Sequence, residues 1–483
     1  MKQTKRVAII GMGIAGSAVL EAYAKESKRR PDLPLHLACY DESRSWGRGL
    51  AYLKDAPEVL LNTRAETVAY DYEQRGHYAT WLKETKGLEE AYTSRGLFGE
   101  YLNYFTKQTA ADLNATIIPE KVQSLTYLPD RQQWLINSET LPYDHIHLCT
   151  GLDTMADPYN LQGQAHYIHT PYPLQTSLSH IPADQTIGIL GTNLTAIDIA
   201  KVALKQLTPR KIWLASRHGN LPVADVEQLA SLPIQVLTFE RLREIREENQ
   251  GVLPFEALDA LIEEEFRCQA VYFPIYRQER LLPGWEALAV SLENPARVAR
   301  AELLAMYITR LLNTNWAYMT RSDQSTFWKK YHRTLDLTRS KIPLASVTAL
   351  LEGKESGVLD IMGGLTDVAP ASDEGGFLLK SNNNNQSLKV DYLINGIGLS
   401  NNPHEANDPL IQQLLADSLI ASHPFGGIII NSQNGQIISP IYGSLPTAQA
   451  HGSIIEGSIY QANATYIIQE RAHHFVRKSL AHS

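Results

Sequence analysis

Residues 7–16 read VAIIGMGIAG, an apolar run that ends on a complete G-x-G-x-x-G. Val7–Ile10 reads as a strand, and a helix-like stretch follows to about Ser27. A second strand, Leu35–Tyr40, closes on Asp41 and Glu42. Few architectures accept this order. Gly11 makes a tight turn, Gly13 lets backbone approach a pyrophosphate, and Gly16 lets helix and strand pack closely. The phosphates would meet free N–H groups around Ala15 at the positive helix end. Asp41 lies 25 positions after Gly16, where an acid can accept from ribose hydroxyls, and Glu42 is its alternative. The expectation is a βαβ dinucleotide-binding unit that opens an α/β chain.

Residues 187–198, IGILGTNLTAID, repeat the pattern with one change. The strand is Thr186–Leu190, the helix about Thr195–Gln206, and the next strand Lys211–Ala215. Gly191 and Ala196 take the first and third glycine positions, and Asn193 takes the second. A side chain there pushes phosphates outward, while its amide offers a hydrogen bond. Asn also tolerates left-handed backbone, so the turn survives. The expectation is a weakened second site. Ser216 and Arg217 follow the last strand with no acid beside them, which suits the 2′-phosphate of NADPH better than NADH.

The chain has 483 residues, too many for one ordinary core. The expected division is a first domain over 1–180, a second over 181–237, a helical insertion over 238–350, the rest of the second domain over 351–394, and the rest of the first over 395–483. Strands ending HLCTG, at Gly151, and INGIG, at Gly398, mark the crossings. Phe377–Lys380 and Leu388–Ile394 read as a hairpin around SNNNNQ. A net charge of −8 with no basic block argues against nucleic acid as a partner. The first apolar run ends too soon for a signal peptide, and none is long enough to span a bilayer, so no membrane partner and a cytoplasmic location are expected. Cys39, Cys149 and Cys268 form no C-x-x-C, and the first two sit in strand-like runs as buried thiols. His166, His169 and Tyr172 lie in a loop that reads as packing. His473 and His474 are adjacent and point apart. No metal-ligand spacing and no G-x-S-x-G occur, so neither a metal site nor a serine hydrolase is expected.

The stretches VAIIGMGIAGSA, YDES, WGRGLAY, LLNTRAETVAYDY, RGLFGEYL, HLCTG, GILGTNLTAIDIA, ASRHGNLP, FWKKYHRTLDLTRSKIPLA and INGIG run through nearly the whole chain. In this order they resemble the FAD/NAD(P)-binding oxidoreductase family related to flavin-dependent N-hydroxylating and other class B monooxygenases. The resemblance implies two Rossmann-like domains, the FAD domain interrupted by the NAD(P) domain, with a helical insertion that shapes the substrate pocket. It implies that Gly11, Gly13, Gly16 and Asp41 hold the ADP half of FAD. Arg48 and Gly49 fall where the family's loop lies near the flavin. Asn62 matches the asparagine beside the reactive flavin carbon and the nicotinamide, where an amide can donate and accept. Such flavoproteins often carry a G-D pair near the C-terminus. The comparable region here is IYGSLPTAQAHG, with no acid after Gly443, so backbone or Ser444 would take its place.

The expected function is a FAD-dependent, NADPH- or NADH-consuming oxidoreductase of monooxygenase type. Its substrate is a small molecule, and homo-oligomers are compatible with the reading. A flavin reductase or dehydrogenase without oxygen insertion is an alternative. So is a non-catalytic FAD-binding scaffold with a degenerate second site.

Overall fold

The computed structural model describes residues 4–32, 34–42, 46–226, 229–371, 375–383 and 385–481. Ser43 of the YDES stretch and Asn384 of the asparagine run lie outside them. The chain forms two compact units. The first comprises Met1–Lys54, Thr63–Thr154 and Leu399–Ser483, and the second Asp55–Asn62 and Met155–Gly398.

A six-stranded sheet forms the first unit. Its order is Gln436–Ser439, Gly443–Ala450, His145–Leu148, Lys5–Ile10, Leu35–Tyr40 and Thr116–Ile118. All neighbours are parallel except the first pair. Successive side chains of a strand face opposite ways, and here both faces are covered. Val7, Ile9, Leu37 and Cys39 pack with Ala18, Val19 and Ala22 of the helix Ile14–Arg29 and with Ala472 and Val476 of the last helix, Thr465–Ala481. Ala8, Ile10, Ala38 and Tyr40 pack on the other face with Ile146, Leu410 and Leu414. That is why these strands read as continuous apolar runs. Cys39 and Cys149 are buried there, which pushes both thiols up, Cys39 to about 12.

In the second unit, five strands run parallel in the order Leu359–Met362, Lys211–Ala215, Thr186–Leu190, Tyr392–Asn395 and Tyr167–Ile168. Residues Met155–Ile181 therefore pack with this unit: Tyr167–Ile168 is its edge strand, and Leu174 and Leu178 enter its core. The hairpin read from the sequence is differently divided, with a shorter second arm. Phe377–Ser381 pairs with Ser387–Val390 and also with Leu365–Pro370, a strand the sequence reading omits. The run 388–394 breaks at Asp391, whose carboxylate accepts the Thr186 N–H at 2.7 Å, and Tyr392–Asn395 then joins the parallel sheet.

The insertion is helical as expected. It includes Phe239–Glu248, Phe255–Cys268, Phe273–Arg280, Glu286–Glu293 and Pro295–Asn315. Arg321–Phe327 and Arg333–Arg339 follow, joined by a wide π turn at Trp328–His332. Among the described residues, no helix is long and apolar enough to cross a membrane.

The first unit carries a buried polar chain. The Tyr23 hydroxyl lies 2.8 Å from His147 Nε2, and His147 Nδ1 lies 2.9 Å from His451 Nε2. The His145 ring lies tilted beside His147, 4.7 Å between centroids. Burial favours the neutral rings. It pushes His145 down to about 4 and His451 to about 3, and holds His147 well below the usual range. An unfolded histidine titrates near ~6.5, so acidification protonates the unfolded chain first. The stability is complete above that pH and falls as pH drops toward the folded values, by about 1.4 kcal/mol per pH unit for each histidine. Urea unfolding between neutral pH and pH ~4 should show this loss, with a shallower slope for His145→Leu. An unchanged slope would show that His145 is not held neutral.

Candidate dinucleotide sites

The first glycine turn is closed from three sides. Gly11 has φ +89°, donates to the Tyr40 carbonyl at 2.9 Å, and a Cβ on it would sit 2.9 Å from the Cys149 carbonyl oxygen. A Cβ on Gly16 would lie 2.0 Å from the Gly11 carbonyl oxygen, so no side chain fits. Gly13 caps the helix Ile14–Arg29 without any side-chain bond, and no acid occupies the first turn. The helix thus presents its first N–H groups without a local carboxylate competitor, which fits a pyrophosphate.

Asp41 does more than the sequence suggests. Its Oδ2 accepts the Met12 N–H at 2.7 Å, so the expected ribose acid also braces the glycine turn. Glu42 is exposed. The WGRGLAY loop lies over the same turn: Gly47 donates to the Met12 carbonyl at 2.7 Å, and a Cβ on Gly13 would be 3.3 Å from Gly49 Cα. Arg48 is half-buried and turns toward the helix Arg95–Asp112, where its Nε donates to the Gly99 carbonyl at 3.2 Å.

The region compared with a G-D pair is placed differently. Gly443 opens the strand Gly443–Ala450, and the glycine that meets the pyrophosphate-type helix is Gly452, just past the strand's other end. A Cβ on Gly452 would lie 2.9 Å from Ala15 Cβ. Gly151 faces Ser453, its would-be Cβ 3.4 Å from Oγ. The signal in the sequence is the glycine of AHGS, nine residues nearer the C-terminus than Gly443.

The second turn uses other residues for the same packing. Gly191 has φ +109° and donates to the Ala215 carbonyl at 2.7 Å. A Cβ on it would meet the Gly396 carbonyl oxygen at 2.6 Å, and a Cβ on Gly396 would meet Ala196 at 3.0 Å. Gly396, the first glycine of G-I-G in INGIG, is the close neighbour that sequence reasoning missed. Gly398 has φ +103° with open space around its would-be Cβ.

Asn193 is not left-handed. Its φ of −95° and ψ of −172° are extended, and it caps the helix Leu194–Gln206, its Oδ1 accepting the Leu194 N–H at 2.9 Å. Its tolerance of left-handed backbone is therefore unused. The Ser216 hydroxyl lies 3.1 Å from Thr192 Oγ1 and accepts the Gly219 N–H at 2.9 Å, so it joins the glycine turn to the strand end. Arg217 is exposed beside it.

Asn62 is half-buried at the end of Asp55–Asn62, a segment of the second unit. The segment is anchored there by Asp55, which accepts the Leu174 and Gln175 N–H groups at 2.8 and 3.0 Å, and by Ala56 and Val59 in the core. Arg48 and Gly49 belong to the first unit. Four of the histidine and tyrosine candidates have partners: His166 stacks on Tyr392, the Tyr172 hydroxyl donates to Asp198, His473 pairs with Glu21 and His474 with the Gln433 carbonyl, whereas His169 lies beside the Tyr167 ring with its Nδ1 buried and without a hydrogen-bond partner.

Residues 8–153 match the FAD-NAD(P)-binding family model, NAD_binding_9. This segment is similar to the FAD-NAD(P)-binding family. It contains the first glycine turn, Asp41 and the loop over the turn. No curated protein matches the sequence. Among solved structures, the ornithine N-hydroxylase KtzI of Kutzneria sp. 744 matches with a TM-score of 0.60 at 13% identity, covering 99% of this chain and 100% of that one. The ornithine hydroxylase PvdA of Pseudomonas aeruginosa gives 0.58 at 12% identity, covering 99% of both chains. L-lysine 6-monooxygenase of Pseudomonas syringae gives 0.54 at 14% identity, again covering 99% of both. The chain therefore has the α/β fold of these monooxygenases over its full length, with two parallel Rossmann-like sheets.

Substitutions at two positions test the turns. Gly13→Ala meets only the 3.3 Å contact with Gly49, so the fold should persist while FAD content falls by roughly tenfold or more. Unchanged FAD content with an unchanged melting temperature would refute the pyrophosphate assignment. Asn193→Ala should cost about 0.5–1 kcal/mol of stability by removing a cap, whereas Asn193→Gly should cost only a few tenths and tighten dinucleotide binding. Equal unfolding midpoints for the two variants would show that the cap contributes nothing.

Proposed function

We propose that this chain is a FAD-dependent, NADPH-consuming oxidoreductase of monooxygenase type acting on a small molecule. The observation that carries the reading is the pair of strand–glycine turn–helix sites, one in each parallel sheet. The matched proteins act on ornithine, lysine or cadaverine, which supports a small-molecule substrate here. Gly11, Gly13, Ala15 and Gly16 would hold the pyrophosphate of FAD through backbone N–H groups, with Asp41 at the ribose and Gly49 in the covering loop. Gly191, Asn193 and Ala196 would hold that of NADPH, with Ser216 and Arg217 at the adenosine ribose.

FAD, when bound, supplies two-electron transfer and reaction with oxygen. The chain supplies position and charge. The uncapped helix behind Gly13 offers N–H groups already fixed in direction, so binding a pyrophosphate requires little reorganisation. Arg48, tethered to Gly99, would keep a positive charge at a set place in the flavin loop. Asn62 would offer an amide that donates on one side and accepts on the other without changing protonation state.

Anaerobic addition of NADPH to the FAD-loaded protein should bleach the flavin's visible band. A band unchanged by NADPH and NADH would overturn the reading and leave a scaffold. Aerobic turnover with ornithine, lysine or cadaverine should then yield a hydroxylated product. NADPH oxidation that gives only hydrogen peroxide with every amine tried would favour the reductase reading.

A further inference from the structure

The end of the strand Lys211–Ala215 gathers more positive charge than its own sequence carries. Residues 216–220 fold tightly there. Gly364 donates to the Arg217 carbonyl at 3.2 Å, and Leu365 to that of Ser216 at 3.1 Å. A Cβ on Gly219, at φ +68°, would lie 3.0 Å from Gly363 Cα. Asn220 is 2% exposed, and its Nδ2 donates to the Leu282 carbonyl at 2.8 Å. This fixes the direction of Oδ1, which accepts from both Nε and Nη2 of Arg333, at 3.0 and 2.6 Å.

Arg333 comes from the helical insertion, 113 residues away in sequence from Asn220. It opens the helix Arg333–Arg339 immediately after the π turn, a form of helix that concentrates at functional sites. His332, the last residue of that turn, stacks on Trp328 at 3.6 Å between ring centroids. A locked amide and an irregular turn thus hold one guanidinium in a set orientation.

The choice of a neutral partner is informative. Among the described residues, neither Arg217 nor Arg333 has a carboxylate within ion-pair distance, and Asp336 in the next turn pairs with Arg339. After desolvation, the charge of Arg217 is the next cause lowering the Arg333 guanidinium, with Asp336 opposing it, and both arginine charges add to burial in lowering His218. A guanidinium held by a neutral amide beside an exposed one, with Asp336 acting on it from the next turn, leaves positive charge that an anion could meet.

We propose that Arg333 is the second arm of a phosphate clamp whose first arm is Arg217, and that its ligand is the ribose 2′-phosphate of NADPH. The inference rests on the reading that the second unit binds NADPH. It assigns a part of the helical insertion to choosing the nicotinamide cofactor. Two forked guanidinium groups suit a dianionic phosphate, while a ribose hydroxyl gives them no charge to meet.

The test uses the full-length, FAD-loaded protein and three probes: 2′,5′-ADP, 5′-AMP and inorganic phosphate, titrated calorimetrically. The wild type should bind 2′,5′-ADP more tightly than 5′-AMP. Arg333→Ala should weaken 2′,5′-ADP binding by roughly tenfold or more and leave 5′-AMP unchanged. Arg333→Lys should fall between, because lysine keeps the charge and loses the fork on Asn220, and it carries the test if the alanine variant fails to fold. If Arg217→Ala weakens 2′,5′-ADP binding and both Arg333 variants bind it like the wild type, the clamp is refuted while the NADPH reading stands. If the wild type binds both nucleotides equally, the NADPH reading itself fails. If inorganic phosphate binds as tightly as 2′,5′-ADP and depends equally on Arg333, the site is a general anion site and the ribose assignment is overturned.

Discussion

The first unit depends on one close approach: the helix Ile14–Arg29 comes so near the glycine turn that a Cβ at position 16 would lie 2.0 Å from the Gly11 carbonyl oxygen. A contact that short cannot be relieved by rotating a side chain, because both partners are backbone. Much follows from it. The helix packs on Val7 and Ile9 of the strand that leads into the turn. Tyr23 reaches His147 on the central strand, and through it His451, which leads into Gly452 beside Ala15. Asp41 and Gly47 both bond to Met12 and so hold the turn from opposite ends of a short loop. The anion binding proposed for the helix end would be a consequence of this packing.

The second unit reaches the same geometry with the burden shared between two positions. Ala196 carries a methyl group where the first unit has Gly16, and the room comes from Gly396 on the neighbouring strand's exit, whose would-be Cβ would touch Ala196 at 3.0 Å. Glycine is therefore needed at 396, and its absence at 196 is tolerated. A pattern search along one segment sees a broken fingerprint. The packing shows its third position compensated from a segment about 200 residues away.

The same distinction explains what the sequence made legible. Strand limits such as Lys211–Ala215 and Thr186–Leu190 were readable because residues 212–215 and 187–190 are apolar or small and mostly buried. Asp41 was readable as an acid at the right spacing, though its bond to Met12 was not. What escaped depends on residues distant in sequence. Gly452 and Gly396 act through contacts with other strands. Leu365–Pro370 has a mixed pattern, with Thr366 and Asp367 exposed, because it lies in a small antiparallel sheet. The break at Asp391 is invisible in an apolar run until its carboxylate is seen bonded to Thr186. Arg333 sits in a helical insertion whose periodicity says nothing of the strand end it meets.

On the proposed reading, the two dinucleotide sites divide their affinity differently. In the first, the glycine at position 13 permits the nearest backbone approach, and the pyrophosphate carries much of the binding. In the second, the exposed Asn193 side chain stands at that place, with its oxygen already committed to Leu194. Contact must then come from further along the cofactor, and the charged residues available there are Arg217 and Arg333. Charge at the far end of the ribose distinguishes the phosphorylated cofactor without holding its reacting end. A cofactor gripped by its adenosine phosphate and loosely by its pyrophosphate can leave once its charge contacts break. That separation suits a nicotinamide consumed in every turnover, just as the tighter first turn suits a flavin that stays.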